Sequence, residues 1–418
     1  MSSESSLAAW MGLDWGDASH WVCLRCEGSD RVESYPLEQK PTAIHQWVAR
    51  LRLRFGGRPV AIALEQSRGA LLYALMQYDF LVLFPINPKA FNAYRKALRL
   101  SGAKDDGGDA RLLLQFVSTH QDQLKPWYPE AAETRSLRLF VEQRRKLVND
   151  HTRLLNRLTQ QLKEYFPQVL GCFAEIACGA GLEFLRRWPT LEKAQRAHSR
   201  TLERFFRSHR YSASSTQEKI QSIAAATPLT QDAAILEVHP RMVQIWIGQL
   251  QRLQKSIAEL EQQIASFMQK HSDAFIFDSL PGAGPVQAPR LLVAYGSDRE
   301  RFDARSMQCF SGIAPVTEQS GKSRWVHHRY ICCKFLKQTF HEFAKCSLSR
   351  SVWANAYYYQ QREKGSSEHE AIRALAYKWI RIITACWKNR TPYSEEKYLE
   401  SLRRRGSPLI KRIEAQAA

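Results

Sequence analysis

Residues 9–26, AWMGLDWGDASHWVCLRC, contain two apolar-rich runs that flank a short polar segment. The runs AWMGLDW (9–15) and HWVCLRC (20–26) have the length and the aromatic and aliphatic content that are typical of strands. Because only a few residues separate them, they predict a β-hairpin at the start of the fold.

Two further strands and four helices are predicted after this hairpin. RPVAIALE (58–65) and FLVLFPI (80–86) are continuous apolar runs, as in buried strands. Amphipathic helical patterns lie near 41–54, 69–79, 88–100 and 107–119. Because strands alternate with helices, residues 1–130 are predicted to form an α/β domain with a covered sheet.

The rest of the chain is predicted to be mainly helical. Residues 137–166 form one long helical pattern that stops at Pro167. A later apolar stripe recurs at alternating three- and four-residue steps, which predicts a coiled-coil seam with either 137–166 or a second protomer as its partner. The seam consists of Val243, Trp246, Leu250, Leu253, Ile257, Leu260, Ile264 and Phe267.

These patterns divide the chain beyond residue 130 into three parts. Residues 131–270 are predicted to be a helical, coiled-coil region for oligomerisation, within which 168–235 has no assigned structure. Residues 271–400 form a third domain, and residues 401–418 form a basic tail that is expected to be mobile.

Composition and charge favour a nucleic-acid partner in a reducing compartment. Lys and Arg number 60 against 41 Asp and Glu, a net charge of +19, and each Lys or Arg placed on a phosphate releases a counterion. We find no segment with the character of a signal peptide or membrane span, so we expect a cytoplasmic protein without a membrane partner. Nine scattered cysteines, with one CxxC at Cys23 and Cys26, are expected to be structural thiols.

Four carboxylates are placed where they can converge. Asp14 lies within the first strand and Glu65 ends the 58–65 strand, while Asp106 and Asp109, in SGAKDDGGDARLLLQF (101–116), share one face at a helix start. Four ionised carboxylates cannot crowd together without a cation between them. Oxygen ligands with no Cys or His nearby indicate Mg²⁺ or Mn²⁺, and a pair of such ions suits phosphodiester chemistry.

Each acid also has a simpler interpretation. Asp105 or Asp106 can cap the helix, and Asp14 can serve a turn or a salt bridge. Asp17 and Asp105 are nearby alternatives as ligands. The joint arrangement of strand acid, strand-end acid and helix pair, on an α/β unit that begins with a hairpin, resembles the layout of RNase H/RuvC-like nucleases.

A serine in a basic turn is the candidate nucleophile. In SGIAPVTEQSGKSRWVHHRY (311–330), Ser320 precedes a glycine in a turn-type dipeptide, and cationic residues follow at Lys322, Arg324, His327, His328 and Arg329. Next to cations and a scissile phosphate its hydroxyl could attack phosphorus and store the bond energy as phosphoserine. Ser311 and Ser323 compete for this role, and a basic loop that only contacts phosphates is the simpler alternative.

LPGAGPVQA (280–288) resembles the hairpin of helix-hairpin-helix DNA-binding elements. Gly282 and Gly284 would let backbone N–H groups approach a phosphate at the start of the next helix. A helix-start turn is the simpler interpretation. Gln287 and the missing βαβ frame argue against a dinucleotide fingerprint, and the absence of GxxxxGK[ST] argues against an ATP-driven mechanism.

Together these segments resemble the DEDD-type transposases of bacterial insertion sequences, the bridge-RNA-guided serine recombinases. The resemblance rests on MGLDWGDASH, ALEQSRG, AKDDGGDARLL, LPGAGP and SGIAPVTEQSGKSRWVHHR, continues through WANAYYYQQREKG and ALAYKWIRI, and covers most of the chain. It implies a RuvC-like first domain, a coiled-coil region and a mainly helical transposase domain.

The resemblance also implies a site and partners. It assigns the metal-binding, catalytic acidic tetrad to Asp14, Glu65, Asp106 and Asp109, and the nucleophile to Ser320. It implies donor and target DNA, a structured guide RNA that pairs with both, and a homo-oligomer, a dimer of dimers, in which the first domain of one protomer meets the serine of another. It further implies a nucleoid-associated bacterial protein. Nucleic-acid contacts are expected from Gly282, Gly284, Lys322, Arg324, His327 and Arg329.

Two features depart from the family pattern. Many members continue after the serine with a Lys-x-Gly-Asn-type segment, where this chain has RYICCKFLKQTF (329–340), and the chain is long for the family, with the excess placed in 168–235. Two other functions stay open: a junction-resolving nuclease that uses water, and a non-catalytic nucleic-acid-binding protein. The long region beyond residue 130 argues against the first, and the arrangement of acids argues against the second.

Overall fold

The hairpin predicted at 9–26 lies in a five-stranded sheet within the first of two structural units. The structure is a computed structural model that describes residues 7–65, 69–98 and 106–417, without the side chains of Asp106 and residues 415–417. The chain divides into units at residues 1–130 and 131–418. The first unit is α/β and the second is mostly helical, as the sequence predicts.

The first unit alternates strands and helices along the chain. Its elements are β1 (Ala9–Asp14), β2 (Ser19–Cys26), β3 (Val32–Glu38), α1 (Pro41–Phe55), β4 (Val60–Leu64), α2 (Ala70–Leu75), β5 (Leu81–Pro85), α3 (Pro88–Leu98) and α4 (Asp106–His120). The strand order is β3-β2-β1-β4-β5. β1 pairs antiparallel with β2 and parallel with β4, and β4 pairs parallel with β5.

The two faces of this sheet are covered by different helices. Met11 and Leu13 of β1 share an apolar cluster with Trp47 of α1 and Leu72 of α2. On the other face, residues of β4 and β5 pack with Leu112, Leu113 and Val117 of α4. This covering explains why β4 is continuously apolar, since both of its faces are buried.

Strand β3 is a strand that the sequence pattern did not predict. It pairs antiparallel with β2 at the edge of the sheet, and most of its residues are exposed or half-buried. Pro36 within it is compatible with an edge strand, where one backbone side needs no partner. Tyr35 anchors the strand by accepting a hydrogen bond from Trp47 Nε1 at 3.0 Å.

The second unit contains the remaining helices and one small hairpin. Its elements are α5 (Ala132–Tyr165), α6 (Gln168–Cys172), α7 (Gly179–Arg187), α8 (Leu191–Gln195), α9 (Ser199–Ser208), α10 (Ala213–Ala225), α11 (Ala233–Lys270), α12 (Ala274–Asp278), α13 (Gly284–Tyr295), α14 (Ala304–Phe310), β6 (Val316–Ser320), β7 (Ser323–His327), α15 (Lys334–Ser347), α16 (Val352–Glu363), α17 (Glu368–Asn389), α18 (Glu395–Arg404) and α19 (Pro408–Ala417). The stretch left unassigned by the sequence is thus largely helical.

Helices α5 and α11 form a long antiparallel pair. Thr134 Oγ1 lies 3.0 Å from His271 Nε2 near one end, and His239 Nε2 lies 2.8 Å from Glu164 Oε2 near the other. Arg144 Nη2 and Glu261 Oε1 are paired at 2.5 Å between them. The partner of the predicted seam is therefore 137–166 of the same chain, the first of the two alternatives.

Two apolar cores lie at opposite ends of this helix pair. One core joins Leu158 of α5 and Leu250 of α11 to helices of the 168–225 segment, with Phe184 and Phe206 fully buried. The other joins Leu137 of α5 to the helices from α12 onward, where three tryptophans are fully buried. They are Trp353, Trp379 and Trp387.

The basic segment at the carboxyl end is ordered into helices, which corrects the expectation of a mobile tail. Leu402 of α18 and Leu409 and Ile410 of α19 are buried in the second of these cores. Three apolar side chains thus hold a segment whose Lys and Arg content alone suggests solvent exposure.

Two further features of the described residues are the character of the helices and the state of the cysteines. None of the described helices combines the length and the apolar character needed to cross a membrane. The nine cysteines are all thiols, with Cys23 buried and Cys26 half-buried.

Candidate active site

Asp14 and Glu65 lie at the same end of two neighbouring strands. Asp14 is the last residue of β1, not a mid-strand residue as the sequence suggested, and Glu65 directly follows β4. In the parallel pairing of these strands Leu13 is opposite Leu64, so the next position on each strand is Asp14 and Glu65. The two acids therefore occupy the same level at the carboxyl edge of the sheet.

Both acids also belong to the face of the sheet that α4 covers. A Cβ on Gly12 would collide with the Ala110 carbonyl oxygen and the Leu114 nitrogen of α4, and Ala63, the register partner of Gly12, packs in the α4 cluster. Because side chains alternate along a strand, Asp14 and Glu65 share the parity of Gly12 and Ala63. The sequence feature that permits the close approach of α4 to β1 is Gly12.

Asp109 is buried in the first turns of α4, next to this face. Its side chain is 1% exposed, and its Oδ2 accepts a hydrogen bond from Arg95 Nη1 of α3 at 2.8 Å. Its Oδ1 is buried and accepts no hydrogen bond from the described residues. A buried carboxylate oxygen without a donor is costly, so the environment of Asp109 is suited to an additional cation.

The start of α4 makes close contacts with β2 at Gly107. A Cβ on Gly107 would lie 2.8 Å from Trp21 Nε1 of β2, and Cys23 Sγ lies 3.6 Å from the Gly107 carbonyl oxygen. Trp21 is the register partner of Asp14. Gly107 thus lets a bulky indole pack at the helix start close to the strand that carries Asp14.

Asp106 begins α4, but its side chain lies outside the described residues, as does the whole of the alternative Asp105. Asp17 is exposed in the turn after β1. Within the described residues, no three or more His, Cys, Asp or Glu side chains are close enough to hold a metal ion. The structure thus brings Asp14 and Glu65 to one edge and Asp109 to the covering helix.

Ser320 lies at the tip of the β6–β7 hairpin. Ser320 pairs with Ser323, and the two intervening residues begin with Gly321 at φ +56°. This is the pattern of a type II′ turn, which places glycine first. The turn dipeptide that the sequence predicted is therefore confirmed, and its two serines are both exposed.

The competing serine Ser311 is excluded as an accessible nucleophile. It is fully buried, and its hydroxyl donates to the Gln308 carbonyl oxygen at 3.3 Å. Ser320 and Ser323 remain, side by side across the hairpin.

The predicted phosphate-contacting side chains differ in environment. Lys322 and Arg324 are exposed and form no ion pair with any residue that the structure describes. His327 Nε2 lies 3.3 Å from Glu318 Oε1, on the same hairpin. Arg329 follows the hairpin and is half-buried. The exposed cations nearest in sequence to Ser320 are thus available to a phosphate.

The glycines of the 280–288 segment lie between α12 and α13. Both have positive φ, +79° for Gly282 and +51° for Gly284. A Cβ on Gly282 would lie 2.5 Å from the Cys346 carbonyl oxygen, whereas Gly284 is exposed and has open space around it. Gly282 is required by packing, whereas the backbone of Gly284 is exposed to solvent.

Sequence reasoning missed the partner of Asp109. Arg95 lies in a different helix, 14 positions before Asp109, and only the packing of α3 near α4 brings the two together. A basic residue in a predicted amphipathic helix carries no sign of this role.

Comparison with known proteins identifies the class. A family model described as a transposase, of the DEDD type found in IS110, matches residues 11–167, and the model of the transposase IS116/IS110/IS902 family matches residues 274–359. The first match contains the acidic residues and the second contains Ser320. The chain is therefore an insertion-sequence transposase.

Individual relatives agree with both matches. The chain is 26% identical over 403 residues to the mini-circle putative transposase for IS117 of Streptomyces coelicolor, covering 94% of this chain and 97% of that protein. It is 23% identical over 401 residues to the uncharacterized 42 kDa protein of insertion element IS900 of Mycobacterium paratuberculosis, covering 92% and 96%. This chain belongs to the DEDD-type IS110/IS116 family of transposases.

Proposed function

We propose that this transposase cuts and rejoins DNA strands through a phosphoserine intermediate on Ser320. The observation that carries the proposal is the position of Ser320, an exposed hydroxyl at a tight turn, followed by Lys322 and Arg324, which form no ion pair with any described residue. Such cations lower the cost of forming an alkoxide beside a phosphate.

Each step of the proposed reaction forms one phosphoester bond and breaks another, so no bond energy is lost. The Ser320 Oγ attacks the phosphorus of a DNA strand, a bond from Oγ to phosphorus forms, and the bond from phosphorus to the 3′ oxygen breaks. The hydroxyl loses one proton and the leaving 3′ oxygen gains one. The 3′ hydroxyl of the other duplex then attacks the phosphoserine and releases the serine hydroxyl. Strand exchange passes through a Holliday junction and needs no ATP.

In this proposal the first unit is RuvC-like, and Asp14, Glu65, Asp106 and Asp109 would hold Mg²⁺ or Mn²⁺. Support comes from the shared edge of Asp14 and Glu65 and from the buried, unpaired Oδ1 of Asp109. A divalent cation bound there would neutralise charge on the phosphate. Arg95 donates a hydrogen bond to the other oxygen of Asp109 and so orients that carboxylate.

Sequence choice is proposed to come from a structured guide RNA that pairs with donor and target DNA. The family resemblance and the net charge of +19 support this part of the proposal. The basic surface would hold phosphate backbones, and base pairing would supply specificity. The acting species is proposed to be a dimer of dimers.

Trapping the covalent intermediate tests the proposal. Purified protein is mixed with labelled donor and target DNA and with RNA transcribed from the flank of the element, and a denaturing gel is used to detect labelled protein. We expect an adduct with the wild-type protein and with Ser323→Ala, and none with Ser320→Ala. Strand transfer that persists in Ser320→Ala would remove the serine from the mechanism, and cleavage without any adduct would favour a water-using nuclease.

A further inference from the structure

A cavity of about 850 Å³ lies where the β6–β7 hairpin meets the helical core of the second unit. Its walls come from α14, from the end of β7 and the residues after it, and from α17. Its volume is within the range of roughly 300–1,000 Å³ that is common for small-ligand sites. Ser320, Lys322, Arg324 and the four acids assigned to the reaction above are not among its described lining residues, whereas His327 and Arg329, two of the expected phosphate contacts, do line it.

The charged groups of this cavity are predominantly cationic. Arg305, Arg329 and Arg373 line it together with one acid, Glu370. Glu370 accepts hydrogen bonds from the backbone and hydroxyl of Ser367, where it completes the capping box of α17. Within the described residues, none of the three guanidinium groups forms an ion pair with a carboxylate, so the cavity is suited to an anion.

Arg329 and Arg373 have more hydrogen-bond donors than acceptors among the described residues. Arg329 Nε is buried and donates no hydrogen bond to the described residues, and the Nη2 of Arg329 has only the Cys309 thiol, 3.9 Å away. Arg373 Nη1 donates to His328 Nε2 at 2.7 Å, which requires that this ring nitrogen be unprotonated. Burial lowers the pKa of Arg373, as expected for a cation without a counter-charge. A phosphate with several acceptor oxygens would satisfy these donors.

The cavity also presents aromatic surface. Tyr377 of α17 is 39% exposed and Tyr330 is 74% exposed, and both line the cavity. Exposed aromatic rings beside cations are the usual platform for unpaired bases. A base inside a duplex is stacked on its neighbours and cannot enter a concave site without leaving the stack. The combination therefore favours one unpaired nucleotide over a duplex.

The hairpin connects this cavity to Ser320. His327 lines the cavity and pairs with Val316, while Ser320 pairs with Ser323 four positions along the same ladder. At about 3.3 Å per residue the hairpin tip is about 13 Å from the cavity rim. We propose that the cavity binds one unpaired nucleotide of the DNA strand next to the phosphate that Ser320 attacks. This inference rests on the proposed function of Ser320.

Binding measured without catalysis tests the inference. The full-length protein carrying Ser320→Ala is titrated against fluorescein-labelled oligothymidine, oligouridine and a DNA duplex, with fluorescence anisotropy as the readout. In this background Tyr377→Ala should weaken oligothymidine binding by about 5- to 140-fold, the range that corresponds to loss of one stacked base. Duplex binding should be unchanged, and Tyr377→Phe should bind as the parent does. Tyr359→Ala, which removes an exposed ring from α16, is the matched control.

A charge variant provides a second test that does not depend on the aromatic ring. Arg329→Gln should reduce the slope of log affinity against log salt for oligothymidine by about 0.7, the value for one phosphate contact on a single strand. The exposed control Arg350→Gln should leave the slope unchanged.

Three results would overturn the inference. The first is that Tyr377→Ala weakens the binding of oligothymidine and of duplex DNA equally, and the second is that it weakens the binding of oligouridine alone. The third is that neither Tyr377→Ala nor Arg329→Gln changes the binding of oligothymidine. Because Ser320 is absent throughout, a failure of the proposed nucleophile would leave these binding results unchanged. The thermal midpoint of each variant is compared with its parent to detect misfolding.

Discussion

The five-stranded sheet and the β6–β7 hairpin each present residues proposed to act in catalysis, but they are held in different ways. β1 and β4 are buried on both faces, and α4 approaches β1 so closely that Gly12 has no room for a side chain. β6 and β7 pair only with each other, and nearly all of their side chains are exposed.

This difference shows which of the proposed catalytic residues are positioned by the fold itself and which need a binding partner to position them. The edge that carries Asp14 and Glu65 is positioned by core packing before any substrate arrives. A two-stranded hairpin without a buried face is marginally stable by itself. We therefore expect the position of Ser320 to depend on what binds the hairpin, and nucleic acid is the partner that its cations favour.

The largest expected effect comes from placing an intact acidic site and an intact Ser320 on different protomers. Asp14→Ala and Ser320→Ala should each reduce strand transfer by about 10⁴-fold or more, as for loss of central catalytic groups. If acids and serine act from different protomers, a mixture of the two variants should regain a substantial part of the activity. Strand transfer is measured on labelled DNA.

The double variant Asp14→Ala with Ser320→Ala, mixed with wild-type protein, controls for simple dilution. An inactive mixture of the single variants would show that both sets must be intact in one chain.

Gly12→Ala should produce the largest loss of stability. Its Cβ would meet backbone atoms of Ala110 and Leu114, which cannot rotate away as a side chain can. We expect the free energy of unfolding of the first unit to fall by about 3 kcal/mol or more, measured by urea denaturation. Gly248→Ala is the matched control, because nothing lies within 4 Å of its Cβ and alanine favours a helix. Equal stabilities of the two variants would contradict the close packing of α4.

Arg95→Ala tests whether Asp109 can hold a cation. The substitution leaves a buried carboxylate without its guanidinium partner, and since Arg95 is partly exposed we expect a loss of about 2 kcal/mol in metal-free buffer. Mg²⁺ should restore part of this stability, which thermal unfolding with and without the ion would measure. Arg52→Ala, which removes an exposed ion pair with Asp79, should cost less and show no response to Mg²⁺. An Arg95→Ala protein that is insensitive to Mg²⁺ would argue against a metal at Asp109.

Gly321→Ala should affect the hairpin and leave the core intact. Its φ of +56° costs a residue with a side chain about 1 kcal/mol, although the surrounding space is open. We expect weaker hydrogen-exchange protection of the β6 and β7 amides with an unchanged thermal midpoint of the whole chain. A lowered global midpoint would mean that the hairpin contributes to the core.

The smallest effect is a pH dependence from His20. Burial lowers its pKa, and Nδ1 accepts a hydrogen bond from the Gly16 N–H, so Nε2 carries the hydrogen directed at Gln39. The unfolded chain then binds a proton more readily below a pH of about 6.5, and stability should fall by about 1 kcal/mol or less as the pH is lowered from there. Denaturation at several pH values would measure this, and His20→Gln should flatten the dependence.

The sequence correctly predicted the strands whose burial imposes a strong apolar pattern. β1, β2, β4 and β5 all appear as apolar runs because both faces of this part of the sheet are covered. β3 was missed because it is an edge strand with few buried residues and an internal proline. The pairing of Arg95 with Asp109 could not be inferred, since it depends on how two separate helices pack.

The helical region was harder for a different reason. Helices α6 to α10 are short and begin at caps such as Thr190 and Ser212, so no stripe is long enough to establish a period. α19 is held through Leu409 and Ile410 in a basic segment whose apolar residues are too few to predict burial. In both cases tertiary packing, and not local preference, orders the chain.

The α5–α11 pair has a consequence for how the family can vary in length. The segment between these helices leaves and returns at the same end of an antiparallel pair, and it contributes to a core that is separate from the one holding Trp379. At 1.5 Å per residue, the 34 residues of α5 extend about 50 Å. An insertion or deletion in the segment between α5 and α11 would change only the far end of the helix pair. The core that holds Trp379 and the fold around Ser320 would keep their structure, so this segment can vary in length during evolution.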